Sequence, residues 1–175
     1  MNLVQADIDE LRRQLGQGSI QKAYRAILSF MQRLRASYTG RHGEAAVSAL
    51  YQGYLDMTYF AIFPDALKPR GLKVAVVFNY EAFRFEAWLV ARNRKVQREY
   101  WELFKKGQWA DYRLVEPAVG VDAILSYDLA REFDLDNPQA LTAKIEDGVD
   151  TFIVDVEHFL SCAAEQAHPA GGRGR

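Results

Sequence analysis

The chain reads as one α+β domain: an antiparallel sheet of three to five strands with a meander at its centre, packed by N-terminal helices, a middle helix and a long C-terminal helix. Three observations predict it. Apolar residues recur at spacings of three and four near the N-terminus, again after Asn93 and again after Asn137. Between the first two of these stretches, residues 55–90 switch toward period-two alternation rich in valine and aromatic side chains. Thirteen of the 22 aromatic side chains fall between Tyr51 and Phe104, which concentrates large core-forming groups there.

Val4, Ile8, Leu11 and Leu15 mark a first amphipathic helix ending near Gly16. Gly18-Ser19 supplies a turn and a candidate N-cap for a second helix. Its stripe runs Ile20, Tyr24, Ile27, Met31, Leu34 and Tyr38, with Lys22, Arg25, Arg33 and Arg35 on the opposite face. Gly40 and Gly43 bracket a break, and a short helical turn is expected over 44–50. Residues 55–63 read as a strand whose second face begins polar and becomes apolar. Pro64 and Pro69-Arg70-Gly71 form the connection to Leu72–Phe78, apolar enough on both faces to be a central strand. Asn79-Tyr80-Glu81-Ala82 is a tight hairpin turn. Phe83–Val90 then sends Phe83, Phe85, Ala87 and Leu89 to one face and Arg84, Glu86, Trp88 and Val90 to the other. Asn93 caps a helix with Val96, Tyr100, Leu103 and Phe104 inward, stopped by Gly107. Tyr112–Val115 suggests a short fourth strand, while residues 121–129 fit strand or helix equally. Asn137-Pro138 starts the last helix, because proline in the first helical position sacrifices no hydrogen bond. Leu141, Ile145, Val149, Phe152, Val156 and Phe159 line its buried stripe.

At 175 residues, 49% hydrophobic and 26% charged, the chain fits one core without disulfide or metal support. The expected domain spans residues 1–166, with a disordered tail over 167–175. Cys162 is the single cysteine, which excludes an internal disulfide and a multi-cysteine zinc site. The first residues turn acidic, unlike a secretory leader, and no apolar run approaches the length of a bilayer span. These features predict a cytoplasmic protein with no membrane partner. Residues 1–115 carry 18 basic and 11 acidic side chains, whereas residues 116–166 carry 2 and 12. That separation fits two halves attracting each other on folding.

The polar groups most able to form a site are Asp56, Arg84 and Glu86, with Tyr51, Tyr54, Thr58 and Trp88 around them. Alternation puts Asp56 and Thr58 on one strand face, and Arg84 and Glu86 on one face of another. If those faces coincide, two carboxylates and an arginine converge beside an aromatic wall, where a carboxylate could work as acid or base or Arg84 could clamp an anion. The alternative is a structural ion pair between strands. Arg92, Arg94, Lys95, Arg98, Lys105 and Lys106 make the middle helix basic near Tyr100, Trp101 and Trp109, but Glu99 and Glu102 interrupt the run. A solvated face is expected there, not a nucleic-acid surface. His42, His158 and His168 are scattered, and Cys162 sits four residues after His158. No metal set, phosphate loop or nucleophile elbow is present in the sequence, so no cofactor is expected.

The segments QKAYR (21–25), YQGYLDMTYF (51–60), LKVAVVF…FRFEAWL (72–89) and YWELFK (100–105) resemble a family of uncharacterised bacterial proteins known only as a domain of unknown function. The resemblance runs from about Leu3 to Leu160. It implies a small stand-alone bacterial domain and transfers no functional residue. The element order is also similar to the core of restriction-endonuclease-like nucleases. Those enzymes need an aspartate on the second core strand and Glu-x-Lys on the third. Here Leu72–Phe78 has no acid, and Glu86-Ala87-Trp88 places tryptophan where lysine belongs. The expected function is therefore a module that binds a small molecule or protein on an aromatic-polar sheet face. The alternative is a divergent hydrolase acting on a phosphate-containing substrate, with Glu86 or Asp56 as base and Arg84 as anion clamp.

Overall fold

The computed structural model describes residues 3–43 and 46–167. Two helices, α1 (Leu3–Gln17) and α2 (Ser19–His42), precede the strands β1 (Tyr51–Gln52), β2 (Met57–Ile62), β3 (Leu72–Asn79) and β4 (Arg84–Ala91). Helix α3 (Arg94–Lys106), strands β5 (Arg113–Leu114) and β6 (Ala123–Ala130), and helix α4 (Pro138–Ala167) complete the order. The six strands form one sheet ordered β1-β2-β3-β4-β6-β5, every neighbouring pair antiparallel.

The α+β class and the central meander agree with the sequence, and the strand count is corrected from three to five up to six. The additional strand is β1, whose two residues are too few to show any periodicity. The ambiguous segment 121–129 resolves as β6. It is buried on nearly its whole length, so its apolar residues do not alternate in the sequence. Asn93 caps α3 as expected, accepting a hydrogen bond from the Val96 N–H at 3.0 Å. Ser19 does not cap α2. Gly18 holds that position with φ 75°, and no side-chain hydrogen bond caps the helix there. Gly40 does not break the helix either, which continues to His42 and ends at Gly43 with φ 85°. Of the turn expected over 44–50, residues 44 and 45 lie outside the described residues, and Val47 pairs with Ile62 as an isolated bridge. The tail from residue 168 onward also lies outside them.

One sheet face carries the main core. Phe60, Val74, Val76, Phe78, Phe85, Ala87 and Leu89 pack there against Ile27, Phe30, Met31, Leu34 and Tyr38 of α2. Val96 and Phe104 of α3 and the Leu141-Ile145-Val149-Phe152-Val156 stripe of α4 close the same core. Phe78 and Phe85 meet edge to face at 4.9 Å, and Phe133 packs against both. Arg41 ties α2 to α4 through Glu146 and Asp150. The opposite sheet face is different. Among the described residues its apolar cluster comes from strand residues alone: Ala75, Val77 and Val90 buried beneath half-exposed Met57, Tyr59 and Trp88. No helix among the described residues is long and apolar enough to cross a membrane.

Candidate functional site

The face left open by the helices is where the polar residues of β4 point. Arg84, Glu86 and Trp88 alternate outward while Phe85, Ala87 and Leu89 enter the main core. Glu86 is nevertheless 0% exposed. Its Oε1 accepts from Arg84 Nε at 2.6 Å and its Oε2 from Trp88 Nε1 at 2.5 Å. Across the β4–β6 ladder Glu86 lies opposite Asp128, at a shift in register that follows Phe85. Two carboxylates facing each other across strands repel. Arg84 removes that cost by also reaching Asp128 Oδ1 at 3.0 Å, and Arg131 holds Asp128 Oδ2 at 2.7 Å.

Beyond this cluster, Arg113 of β5 donates to Ser126 Oγ at 3.2 Å and has no acidic partner among the described residues. Arg113 and Ser126 line two adjoining clefts. The larger, about 340 Å³, also includes Arg84, Tyr112, Asp128 and Arg131. The smaller, about 190 Å³, is walled by Met57, Trp88, Val115, Val121 and Ala123. A cation that forms no ion pair among the described residues thus sits where a charged cleft, which Asp111 also lines, meets a mainly apolar one with Asp122 in its wall. Tyr112 backs the larger cleft, donating to Asp155 Oδ2 at 2.5 Å. Burial first, and then that carboxylate, push its phenol above the ordinary range.

Of the seven residues expected at the site, Arg84, Glu86 and Trp88 form one hydrogen-bonded group. Tyr51 shares their sheet face, its ring tilted against that of Tyr59 at 5.0 Å, but stands on the far edge of the sheet. Thr58 points the other way, 0% exposed, with its hydroxyl 3.2 Å from the Tyr80 phenol. Asp56 precedes β2 in an exposed turn, where its Oδ1 accepts from the Met57 N–H at 2.7 Å. Tyr54 is almost wholly exposed. The acid that meets Arg84 from a neighbouring strand is therefore Asp128, not Asp56. Reading SYD (126–128) as part of a strand would have placed Ser126 and Asp128 on one face, but the flanking apolar residues hid that alternation. Arg113 lies in the short strand expected over Tyr112–Val115, here two residues long, but nothing in the sequence singles it out as a site residue.

A second cavity of about 320 Å³ lies between α2 and α4, lined by Tyr38, His42, Ile62, Pro64, Asp65 and Asp150. Several polar groups here already serve the fold: the Tyr38 hydroxyl donates to the Glu146 carbonyl, and Arg41 holds Asp150. On α3, Lys105 lies over the Trp101 ring at 4.4 Å, while Trp109 packs on Phe159. Cys162 and His158 face each other at 3.8 Å on exposed α4 surface.

A family described as Domain of unknown function (DUF7000) matches residues 4–160. The chain belongs to that family. No curated protein matches the chain, and no solved structure does. Nothing in these comparisons supports the hydrolase alternative. The geometry gives it no help either: both oxygens of Glu86 are engaged, and β3 carries no acid at all.

Proposed function

We propose that the protein is a non-catalytic binding module that takes a small ligand, an oxyanion carried on a flat apolar body, on the open face of its sheet. The anionic group meets Arg113 and the apolar body lies in the cleft between Trp88, Met57 and Val121. The observation that carries this reading is Arg113 itself, a guanidinium that forms no ion pair among the described residues, at the mouth of a mainly apolar slot. A guanidinium offers paired donors that match carboxylate or phosphate oxygens. Trp88 is held in place by Glu86, so the slot is formed before a ligand arrives and little ordering cost accompanies binding.

Thermal shift tests this with benzoate as probe and benzamide as its neutral counterpart. At ten times its dissociation constant benzoate stabilises the protein by about 1.4 kcal/mol, raising the melting temperature by about 3–5 °C. Benzamide has less effect, and Arg113→Ala removes the benzoate response without lowering the melting temperature of the free protein. Magnesium or manganese stabilising the wild type but not Glu86→Ala would instead restore the hydrolase reading.

A further inference from the structure

Helix α1 is an amphipathic helix whose apolar side is left largely uncovered by the described residues. Val4, Ile8, Leu11 and Leu15 are 63%, 46%, 51% and 39% exposed, and the helix meets the body of the protein chiefly through α2. A helix of 15 residues is marginal in water when only its own side-chain pairs support it. Those pairs are local: Arg13 to Glu10 at 2.6 Å, Gln5 to Asp9 at 3.2 Å, and a long contact of 3.8 Å between Arg12 and Asp9. Such a stripe is stable when something covers it.

The spacing says what that is. The steps 4, 3 and 4 place Val4 and Leu11 at d positions and Ile8 and Leu15 at a positions of a heptad. A β-branched residue at a followed by leucine at d, as in Ile8 and Leu11, favours two-stranded pairing. Gly18, the next d position, turns the chain with φ 75° and ends the seam. The flanking charges select an orientation. Asp7 falls at g and Arg12 at the following e, while Gln5 and Gln14 occupy the remaining e and g sites within α1. In a parallel in-register pair, Asp7 of each chain faces Arg12 of the other, with no like charges opposed. In an antiparallel pair these residues meet only glutamines.

We infer that α1 is a dimerisation helix, pairing in parallel with α1 of a second copy of this chain through the Val4-Ile8-Leu11-Leu15 seam and reciprocal Asp7–Arg12 contacts. The pairing is two-fold symmetric, so one patch serves both partners. A seam of two heptads buries less than the roughly 1,200 Å² of a stable interface, so the dimer is weak and depends on concentration. A membrane surface is the poorer occupant. With Asp7, Asp9 and Glu10 against Arg12 and Arg13, the helix lacks the basic polar face that anionic lipid attracts.

Sedimentation equilibrium of the full chain, over about a hundred-fold range of concentration reaching the tens of micromolar expected of a small interface, tests the inference. The expected result is a monomer–dimer equilibrium that Leu11→Asp abolishes while the thermal unfolding midpoint of the monomer stays unchanged. Asp7→Arg weakens the dimer at least ten-fold, and Asp7→Arg with Arg12→Asp restores it. Both substitutions oppose the helix dipole, so restoration cannot come from a better isolated helix. A monomer at every concentration overturns the inference, as does a dimer that survives Leu11→Asp. Failure of the double swap to restore pairing overturns the parallel seam. Co-sedimentation of the wild type, but not Leu11→Asp, with phosphatidylcholine–phosphatidylserine vesicles would assign α1 to a membrane surface instead.

Discussion

Glu86 has no exposed surface on a sheet face that none of the described helices covers, because its neighbours on β4 fold over it. Arg84 and Trp88 each supply one hydrogen bond, so the carboxylate is fully engaged before any ligand is present. Removing Arg84 leaves Glu86 and Asp128 opposed without their shared cation. Arg84→Ala is therefore expected to cost about 2–4 kcal/mol in chemical denaturation. Arg84→Met with Glu86→Gln removes both charges of the buried pair and recovers most of that loss. Tyr112 gives a second test. An unfolded tyrosine ionises at about pH 10, and burial beside Asp155 raises the folded value above that. The native state thus keeps its proton where the unfolded chain loses it. The stability due to Tyr112 is complete below pH 10 and declines as pH rises from there toward the folded value. Tyr112→Phe lowers stability at pH 7 by about 1–2 kcal/mol for the lost hydrogen bond and makes the alkaline decline shallower in melts between pH 9 and 11.

Among the elements, β4 was the most legible and β6 the least, for one physical reason. β4 has a wet face and a dry face, so its residues alternate and the sequence alone places Arg84, Glu86 and Trp88 together. β6 lies between β4 and β5 with α4 behind it, so Ala123, Ile124 and Leu125 are all buried and no alternation marks its start. Without that register, Asp56 looked like the nearest acid to Arg84. Asp56 belongs to the turn into β2, where its side chain binds the Met57 N–H and its carbonyl accepts from the Tyr80 N–H. Asp56→Ala should lower stability by about 1 kcal/mol and leave the benzoate-induced rise in melting temperature unchanged. Loss of that rise would return Asp56 to the site. The periodicity of α1 was equally clear, but periodicity shows which face is apolar and not what covers it.

For the whole molecule, the charge separation in the sequence becomes a contact between helices. Arg41 near the end of the basic helix α2 reaches Glu146 and Asp150 on acidic α4, and both helices cover the same side of the sheet. That leaves the other side to the strands and to the segment before β6, and so determines where a ligand has room. The fold class was visible in the periodicities of long elements, whereas the proposed site needs the pairing of β5 with β6, and the burial of β6 erases the alternation that would have shown its register. The proposed slot beside Trp88 takes an oxyanion on a flat apolar body through Arg113. The direct measurement is the indole N–H resonances of Trp88, Trp101 and Trp109 during a benzoate titration. A saturable shift of Trp88 alone is expected, absent in Arg113→Ala and much weaker with benzamide. Equal shifts with benzamide, or no movement of Trp88 at saturating benzoate, would contradict it.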